Sequence, residues 1–368
     1  FFKQKTAYEM VLRDWSSDVC SSDLSTRNLR REAWLIKALA EHGVPAQRFV
    51  GWNDEHGAML QSFTPGLAEL NREDRAVQDG VMRHFMEILA ALHRIDIQKL
   101  DLPEFQIPRT PLEHSLLEIE AVEEPQLYPV SICKTDVLAA FGKRWLINHA
   151  PARVERTVLL QGDTGPANFL YDPKSAKVTA VVDWEWAHYG DPLEDLGNIW
   201  VRDFFYPSSG GDLTPYFRHY AKRAGIELDR TKIEYYKIHQ LVRSVQALAK
   251  LAEVLDWQTP IPLNLGYRAF VDLHTCQAMR EASGDAAPRA LPEFPMREDA
   301  LGGVLARQIE SFVVPQLQDP FAKFMASGHA NVARYLDLRE RHGAGVEAQE
   351  RAGLSDLLGR RVTDLDSG

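Results

Sequence analysis

The spacing of apolar residues predicts one helix, a hairpin, and then a largely helical chain. From Ser25 to Gly43 the apolar positions fall near one helical face, and the glycine is a typical C-terminal stop. Two short apolar stretches at 48–52 and 58–63 flank the turn-rich segment NDEHG. This pattern predicts a β-hairpin.

Beyond this hairpin, helical spacing dominates and only two short strands interrupt it. Helices are predicted at 74–95, 112–122, 135–149, 193–205, 214–224, 231–256, 264–281, about 299–315 and 320–360. The strands are predicted at 157–163 and 177–187, with the turn-forming DPKSA between them. The stretch 282–297 is rich in Ala, Pro, Gly and Asp, which is typical of a linker.

Composition narrows the class of protein. The formal net charge of −10 over 368 residues argues against a nucleic-acid-binding protein, which needs surplus Lys and Arg. Cys20, Cys133 and Cys276 form no CxxC pair, so we expect neither a zinc site nor disulfides, and a reducing, cytoplasmic setting. No apolar run approaches the length that spans a bilayer, so we expect no membrane insertion.

The first residues resemble foreign sequence. KQKTAYE at 3–9 and DWSSDVCSSDL at 14–24 resemble the in-frame translation of a sequencing-library adapter, in the order an adapter would give. On this hypothesis residues 1–24 do not belong to the natural protein. A natural polar leader is the alternative, and native codons for these residues in source DNA would establish it.

Two neighbouring segments carry the residues for phosphoryl transfer, which requires oxygen ligands for a metal and a carboxylate that accepts a hydroxyl proton. Asp163 follows the first predicted strand, Asn168 comes five positions later, and Asp183 lies in the second strand segment. These residues can converge on one magnesium–phosphate site. Gly162 and Gly165 would allow the loop to turn.

These segments resemble the aminoglycoside phosphotransferase and choline kinase-like family, which is similar to protein kinases. QGDTGPANFLYD resembles the family's HGDxxxxN loop, and AVVDWEWAHYGDPLEDLG resembles its metal-binding segment. The resemblance implies that Asp163 is the catalytic base and that Asn168 and Asp183 bind Mg²⁺ beside ATP. It also implies that Asp191 and Asp195 are structural acids.

Earlier segments are similar to the same family. The helix beginning at Ser25 resembles the one that carries an ion-pairing glutamate, here Glu32, although a solvated surface charge is an equal alternative. AMLQSFTPG resembles the hinge between lobes, which implies that the backbone at Ser62, Phe63 and Thr64 holds adenine. For His93, a packed position at a helix end is favoured over a metal ligand because no second ligand lies at helical spacing.

Two departures from the family pattern matter. Gln161 stands where the family has a histidine that braces the loop, and an amide can also hydrogen-bond there. Nothing before Ser25 resembles the glycine-rich phosphate loop or the strand lysine that would pair with Glu32. We therefore expect this chain to bind ATP weakly and turn over slowly.

The expected fold is α+β, a protein-kinase-like two-lobe fold with a truncated N-terminal lobe and a large, mostly helical C-terminal lobe. The expected division is a leader at 1–24, a partial nucleotide-binding lobe at 25–66, a catalytic and substrate lobe at 67–281, a linker at 282–298 and a helical tail at 299–368.

The expected function is ATP-dependent phosphorylation of a hydroxyl on a small molecule. A catalytically silent kinase-like binding protein is the alternative, motivated by Gln161 and the missing lysine. Hydrolase chemistry is disfavoured because the sequence contains no GxSxG elbow. Substrate identity and oligomeric state stay open.

Overall fold

A computed structural model describes residues 22–123, 136–253, 261–284 and 298–362. The adapter-like segment at 3–9, residues 14–21 of the one at 14–24, Cys20, Cys133 and most of the predicted linker lie outside the described residues. The described part of the chain divides into two compact units, one comprising 22–253 with 270–284 and the other 261–269 with 298–362.

The smaller lobe of the first unit contains one helix and one hairpin. Helix α1 (Ser22–Leu39) is followed by strands β1 (Phe49–Asn53) and β2 (Ala58–Gln61), which pair antiparallel. The apolar face of α1 is fully buried at Leu35, Ile36 and Leu39. The predicted helix and hairpin are therefore confirmed.

The larger lobe is mostly helical, as predicted. Its helices are α2 (Arg75–Leu92), α3 (Pro111–Glu123), α4 (Val137–His149), α5 (Pro192–Phe205), α6 (Thr214–Ala224), α7 (Arg230–Glu253) and part of α8 (Ile261–Ala282). Helix α5 packs along α7, and α2 packs along α6. Both pairs bury apolar faces in one continuous core.

Four short strands, two more than predicted, flank the loop of Asp163 and the segment of Asp183. They are β3 (Val158–Leu160), β4 (Phe169–Asp172), β5 (Lys177–Val181) and β6 (His188–Gly190), with β3 antiparallel to β6 and β4 antiparallel to β5.

The predicted extents of the strands at 157–163 and 177–187 were therefore wrong, because only Val158–Leu160 and Lys177–Val181 are strand within those ranges. Asp172 accepts hydrogen bonds from the Lys174 and Ser175 amides, so the DPKSA turn closes a hairpin between β4 and β5. After Val181 the chain leaves the sheet, because Asp183 has a φ of +61°.

The β4–β5 hairpin joins the two lobes. The Val181 amide donates to the Pro45 carbonyl at 2.7 Å, and the Leu67 amide donates to the Tyr171 carbonyl at 2.8 Å. The Thr179 hydroxyl donates to the Pro65 carbonyl at 2.9 Å. The segment between the lobes is thereby attached to the hairpin that follows the loop of Asp163.

The second unit contains α9 (Leu301–Gln308) and α10 (Pro320–Leu358), which pack on each other near the predicted positions. Arg334 of α10 makes a bidentate contact with Glu310, with distances of 2.7 and 2.8 Å. Across the described ranges, no helix is both long enough and apolar enough to cross a membrane.

Candidate active site

The loop between β3 and β4 brings Asp163 and Asn168 together, as the sequence predicts. The Asn168 side-chain amide donates to the Asp163 carbonyl at 2.7 Å and to Asp163 Oδ2 at 2.8 Å. Asn168 is buried, whereas Asp163 is partly exposed. The asparagine therefore holds a carboxylate that solvent can still reach.

Backbone conformations with positive φ shape this loop. Gly162 has a φ of +83°, and a Cβ there would lie 2.0 Å from the Trp186 carbonyl oxygen. Gly165 has a φ of +142°, and Ala167 has a φ of +74°. The expectation that Gly162 and Gly165 allow the loop to turn is confirmed.

Asp183 lies in the segment between β5 and β6. Of the three described non-glycine residues with positive φ, Ala167 and Asp183 belong to the two motif segments, and Ala176 lies in the β4–β5 turn. Strained backbone of this kind clusters at functional sites. The two segments are therefore marked by conformation as well as by sequence.

Gln161 links these two segments. Its Oε1 accepts from the Asp163 amide at 3.0 Å, while its Nε2 donates to the Asp183 carbonyl at 2.6 Å and the Val182 carbonyl at 3.2 Å. The amide thus uses both ends, which an acceptor or a donor alone could not do. Gln161 braces the loop despite departing from the family's histidine.

Asp195 of α5 holds the same loop through the loop's backbone amides. Its Oδ2 accepts from the Gln161 amide and its Oδ1 from the Gly162 amide, each at 3.0 Å, and the Thr164 hydroxyl also donates to Oδ1. The structural role that the resemblance implied for Asp195 is therefore confirmed.

Asp191 begins α5 by accepting from the Leu193 amide at 2.9 Å, and its other oxygen lies 3.1 Å from Lys232 Nζ. Burial raises the pKa of Asp191, while these contacts counteract the rise. Asp191 is thus a buried N-cap.

His93 follows α2 as a packed residue, as predicted. Its Nε2 lies 3.0 Å from Asp195 Oδ2, and its Nδ1 lies 2.7 Å from the Tyr220 hydroxyl. Within the described ranges, no group of three or more His, Cys, Asp or Glu side chains could hold a metal ion. His93 instead supports the acid that holds the loop.

Four contacts to this loop escaped the sequence analysis. Asn198 of α5 and Arg243 of α7 donate to the Gly162 carbonyl at 3.0 and 2.5 Å. Arg202 Nη2 lies 3.5 Å from Asp163 Oδ2, and Gln240 Nε2 lies 3.4 Å from Asp163 Oδ1.

A signal for the α5 residues was present. Asp195, Asn198 and Arg202 stand at i, i+3 and i+7 of a helix that also contains Glu194 and Asp203, and this spacing places the three on one face. A polar stripe on one face of a mostly buried helix indicates a hydrogen-bond network next to a site. The pattern could not show which loop the stripe would contact.

A buried charged cluster lies under the loop, formed by Glu118, His188, Glu194, His239 and Arg243. Burial alone would lower the pKa of His188, but the carboxylates of Glu118 and Glu194 raise it to about 9. Burial would raise the pKa of Glu194, but His188 and His239 lower it to about 2. His188 Nε2 lies 3.2 Å from Glu194 Oε1 without hydrogen-bond geometry, so this contact is mainly an ion pair.

Glu32 of α1 reaches the segment of Asp183. Its Oε1 accepts from the Trp184 amide at 3.2 Å, and the neighbouring Arg31 donates to the Ala187 carbonyl at 2.5 Å. Both side chains are partly buried. Glu32 therefore contacts the metal-binding segment of the resemblance.

The predicted hinge follows β2. The Ser62 amide donates to the Arg48 carbonyl at 2.9 Å, so this N–H is already used. Phe63 is 51% exposed. Thr64 makes no hydrogen bond within the part of the chain that the structure describes. The backbone groups of Thr64, rather than the Ser62 amide, are therefore available to a ligand.

The residues present fit a magnesium ion. Asn168 gives both amide hydrogens to Asp163, and its buried Oδ1 has no hydrogen-bond partner among the described residues. An orphaned amide oxygen and the carboxylate of Asp183 are ligands of the type that Mg²⁺ prefers. Two protein ligands suffice, since Mg²⁺ in such sites keeps waters and phosphate oxygens.

Two curated proteins resemble this chain over part of their own length. The chain is 26% identical over 233 residues to acyl-CoA dehydrogenase family member 10 of Mus musculus, covering 59% of this chain and 20% of that protein. It is 23% identical over 336 residues to acyl-CoA dehydrogenase family member 11 of Rattus norvegicus, covering 83% of this chain and 41% of that protein. The chain thus spans between about one fifth and two fifths of these relatives' lengths.

Two solved structures share the fold. A provisionally named aminoglycoside phosphotransferase from Ralstonia eutropha JMP134 is 19% identical, with a TM-score of 0.53, covering 69% of this chain and 83% of that one. A thermostable mutant of aminoglycoside phosphotransferase APH(4)-Ia, in ternary complex with ADP and hygromycin B, is 16% identical with a TM-score of 0.51, covering 70% and 84%. Both are two-lobe kinase-like folds, which confirms the predicted fold class.

The family itself is shown by sequence. Residues 1–236 match the sequence profile of APH, the phosphotransferase enzyme family, and this match covers more than half of the chain. The matched range contains the loop of Asp163, the segment of Asp183 and helix α5. The chain therefore belongs to the phosphotransferase enzyme family.

Proposed function

We propose that this chain transfers the γ-phosphoryl group of ATP to a hydroxyl group of a small molecule. In the proposed reaction the hydroxyl oxygen forms a bond to the γ-phosphorus, the bond to the β,γ-bridging oxygen breaks, and ADP leaves. The hydroxyl proton passes to the Asp163 carboxylate. Support comes from the family match and from a fold neighbour whose complex contains ADP.

Asp163 is proposed as the base because it combines fixed orientation with access. Asn168 donates to the carbonyl and the carboxylate of Asp163. Gln161 accepts from the Asp163 amide and is itself fixed by donating to the Asp183 carbonyl. The Asp163 side chain is 18% exposed, so a hydroxyl can approach. A positioned carboxylate of this kind orients the acceptor and accepts its proton.

Asn168 Oδ1 and the Asp183 carboxylate are proposed to hold Mg²⁺. The carrying observation is the orientation of Asn168, whose buried Oδ1 is left without a donor while Nδ2 is bound to Asp163. When bound, the ion would neutralise charge on the phosphates. The Ser62 carbonyl and the backbone of Phe63 and Thr64 are proposed to hold adenine, because the Ser62 amide is bound to Arg48. Glu32 is proposed to support the Asp183 segment.

One of the two arguments for a catalytically silent binding protein does not hold. This alternative rested partly on Gln161, which nevertheless makes three hydrogen bonds that brace the loop. The brace keeps Asp163 in a fixed position, as a catalytic base requires. We therefore favour the catalytic function.

The acceptor is proposed only as a class, hydroxylated small molecules. The relatives point to two kinds, because one fold neighbour is in complex with the aminoglycoside hygromycin B, and the long sequence matches are named for acyl-CoA chemistry. A test panel should contain aminoglycosides, amino alcohols and hydroxylated acyl compounds.

Substitution of Asp163 tests the function. With Mg²⁺, ATP and the acceptor panel, Asp163→Asn should lower the rate of ADP and phosphoester formation by about 10²–10⁴-fold, because the amide cannot accept the proton. ATP affinity should stay within about threefold, since Asp163 is not proposed to bind nucleotide. Phosphoester is identified by mass spectrometry.

Asp212→Asn is the matched control, because Asp212 is exposed at the start of α6. It should leave the rate unchanged. Equal turnover by Asp163→Asn and the unaltered chain would reject Asp163 as the base. ATP binding without any transfer in the unaltered chain would favour the silent alternative.

A further inference from the structure

One cationic side chain lies beside the proposed base. Arg202 Nη2 is 3.5 Å from Asp163 Oδ2, the only ion pair of Asp163 among the described residues. This distance is well beyond the roughly 2.7–2.9 Å of a good charge-assisted hydrogen bond. The two groups are therefore neighbours whose contact is incomplete.

Arg202 also has unused hydrogen-bond donors. Its Nε is buried and has no hydrogen-bond partner within the described residues. The side chain is 19% exposed, so the group reaches the solvent-accessible side of the site. A guanidinium has five N–H donors, and the geometry around Arg202 satisfies few of them.

The loop is built to admit this side chain. A Cβ on Gly165 would lie 2.6 Å from Arg202 Cβ and 3.1 Å from Arg202 Cγ. Any larger residue at position 165 would therefore displace the stem of the arginine. Glycine at this position keeps the guanidinium next to Asp163.

A second incomplete contact lies on the other carboxylate oxygen. Gln240 Nε2 is 3.4 Å from Asp163 Oδ1, and the buried Gln240 Oε1 has no described hydrogen-bond partner. Gln240 is only 6% exposed. Buried polar groups are normally paired, so the unpaired groups of Arg202 and Gln240 are available to a polar ligand that binds beside Asp163.

We propose that Arg202 is a further catalytic residue that donates hydrogen bonds to the phosphoryl group in transfer. This inference rests on the proposed function. When an acceptor hydroxyl binds Asp163, the attacked phosphorus lies about 3–3.5 Å from the hydroxyl oxygen. The phosphoryl oxygens then come within reach of a guanidinium already next to the carboxylate.

The chemistry favours arginine for this role. The transferred group carries negative charge on three oxygens, and a planar guanidinium can donate to two of them in parallel. An arginine placed so stabilises the charge of the transition state. An acceptor carboxylate could use the same donors, and the experiment separates the two sources.

The test compares nucleotides with and without a γ-phosphoryl group. By calorimetry with Mg²⁺, Arg202→Ala should bind ADP within about twofold of the unaltered chain and the non-hydrolysable analogue AMP-PNP about tenfold more weakly or worse. The AMP-PNP affinity of Arg202→Lys should lie between those of the unaltered chain and Arg202→Ala, because lysine keeps the charge but not the bidentate geometry. Arg218→Ala removes an exposed arginine of α6 and should change neither affinity.

Unchanged AMP-PNP affinity in Arg202→Ala, or equal loss of ADP and AMP-PNP affinity, would overturn this inference and leave the proposed function standing. A rise in KM confined to carboxylate-bearing acceptors, with AMP-PNP affinity unchanged, would overturn it in favour of acceptor binding. Failure of the unaltered chain to bind ADP or AMP-PNP would overturn the proposed function and this inference together. If Arg202→Ala does not fold, the lysine variant decides the question by the same comparison.

Discussion

Gly162 combines a conformational demand and a steric demand in the loop of Asp163. Its amide donates to Asp195 Oδ1 at 3.0 Å, and its carbonyl accepts from Asn198 and Arg243. Its φ of +83° is a conformation that side chains disfavour, and Trp186 leaves no room for a Cβ. Only glycine meets the conformational and the steric demand together.

Replacement of Gly162 by alanine should be severe. Gly162→Ala combines positive φ with a Cβ 2.0 Å from the Trp186 carbonyl oxygen, and we expect a loss of about 3 kcal/mol or more in the free energy of unfolding. Gly225→Ala is the matched control, because Gly225 has a φ of +69° and no atom within 4 Å of an added Cβ. It should cost only about 1–2 kcal/mol. Equal urea midpoints for the two variants would refute the steric argument.

At the scale of elements, helix α5 organises the site. Along its length it places Asp195, Asn198 and, in its last turn, Arg202 on the face that meets the loop of Asp163. Its opposite side packs along α7, which contributes Gln240 and Arg243 to the same loop. Two rigid helices thus position a loop that has little regular structure of its own.

Asp195→Asn tests this arrangement. Asp195 accepts from the Gln161 and Gly162 amides and lies 3.0 Å from His93 Nε2. An asparagine would turn a donor toward one of these partners and remove the buried charge. We expect a loss of about 3 kcal/mol or more in unfolding free energy, and a lower rate of phosphoryl transfer.

The readouts are urea denaturation and transfer assays. Asp212→Asn again serves as control, because this exposed aspartate also accepts a backbone amide at a helix start, here from Thr214 at 2.9 Å. Its midpoint should change little. A fully stable Asp195→Asn protein would show that the loop is held without this carboxylate.

At the scale of the whole molecule, the buried charged cluster links pH to stability. The pKa of His188 is raised from 6.5 to about 9, so its contribution is full below about pH 6.5 and is lost as pH rises through 9. The pKa of Glu194 is lowered from 4.5 to about 2, so its contribution is full above about pH 4.5 and is lost as pH falls through 2. Both contributions are complete between about pH 4.5 and 6.5.

His188→Gln should therefore flatten the pH dependence. Urea denaturation of the unaltered chain should show unfolding free energy falling between about pH 6.5 and 9, as His188 loses its proton next to Glu118 and Glu194. The variant should be less stable near pH 6 and should lack most of that fall. His42→Gln, which changes an exposed histidine, should keep the slope of the unaltered chain. An identical slope in His188→Gln would exclude His188 as its source.

Local sequence determined a large part of this protein. Apolar spacing predicts α1, the β1–β2 hairpin and the order of the helices, because helix and strand periodicity are properties of neighbouring residues. The spacing of Asp163 and Asn168 predicts their meeting for the same reason, since five positions on one tight loop are close in any fold. The second motif segment and the family resemblance predict the two-lobe fold.

Only the tertiary structure decided how distant residues meet. Strand β3 pairs with β6, which the sequence analysis did not predict, because hydrogen-bonded pairing depends on where the whole chain packs. Arg202 and Gln240 reach Asp163 from 39 and 77 positions away, and Arg243 reaches Gly162 from 81 positions away. No periodicity encodes such contacts, which arise when α5 and α7 bury their apolar faces and carry their polar residues to the loop.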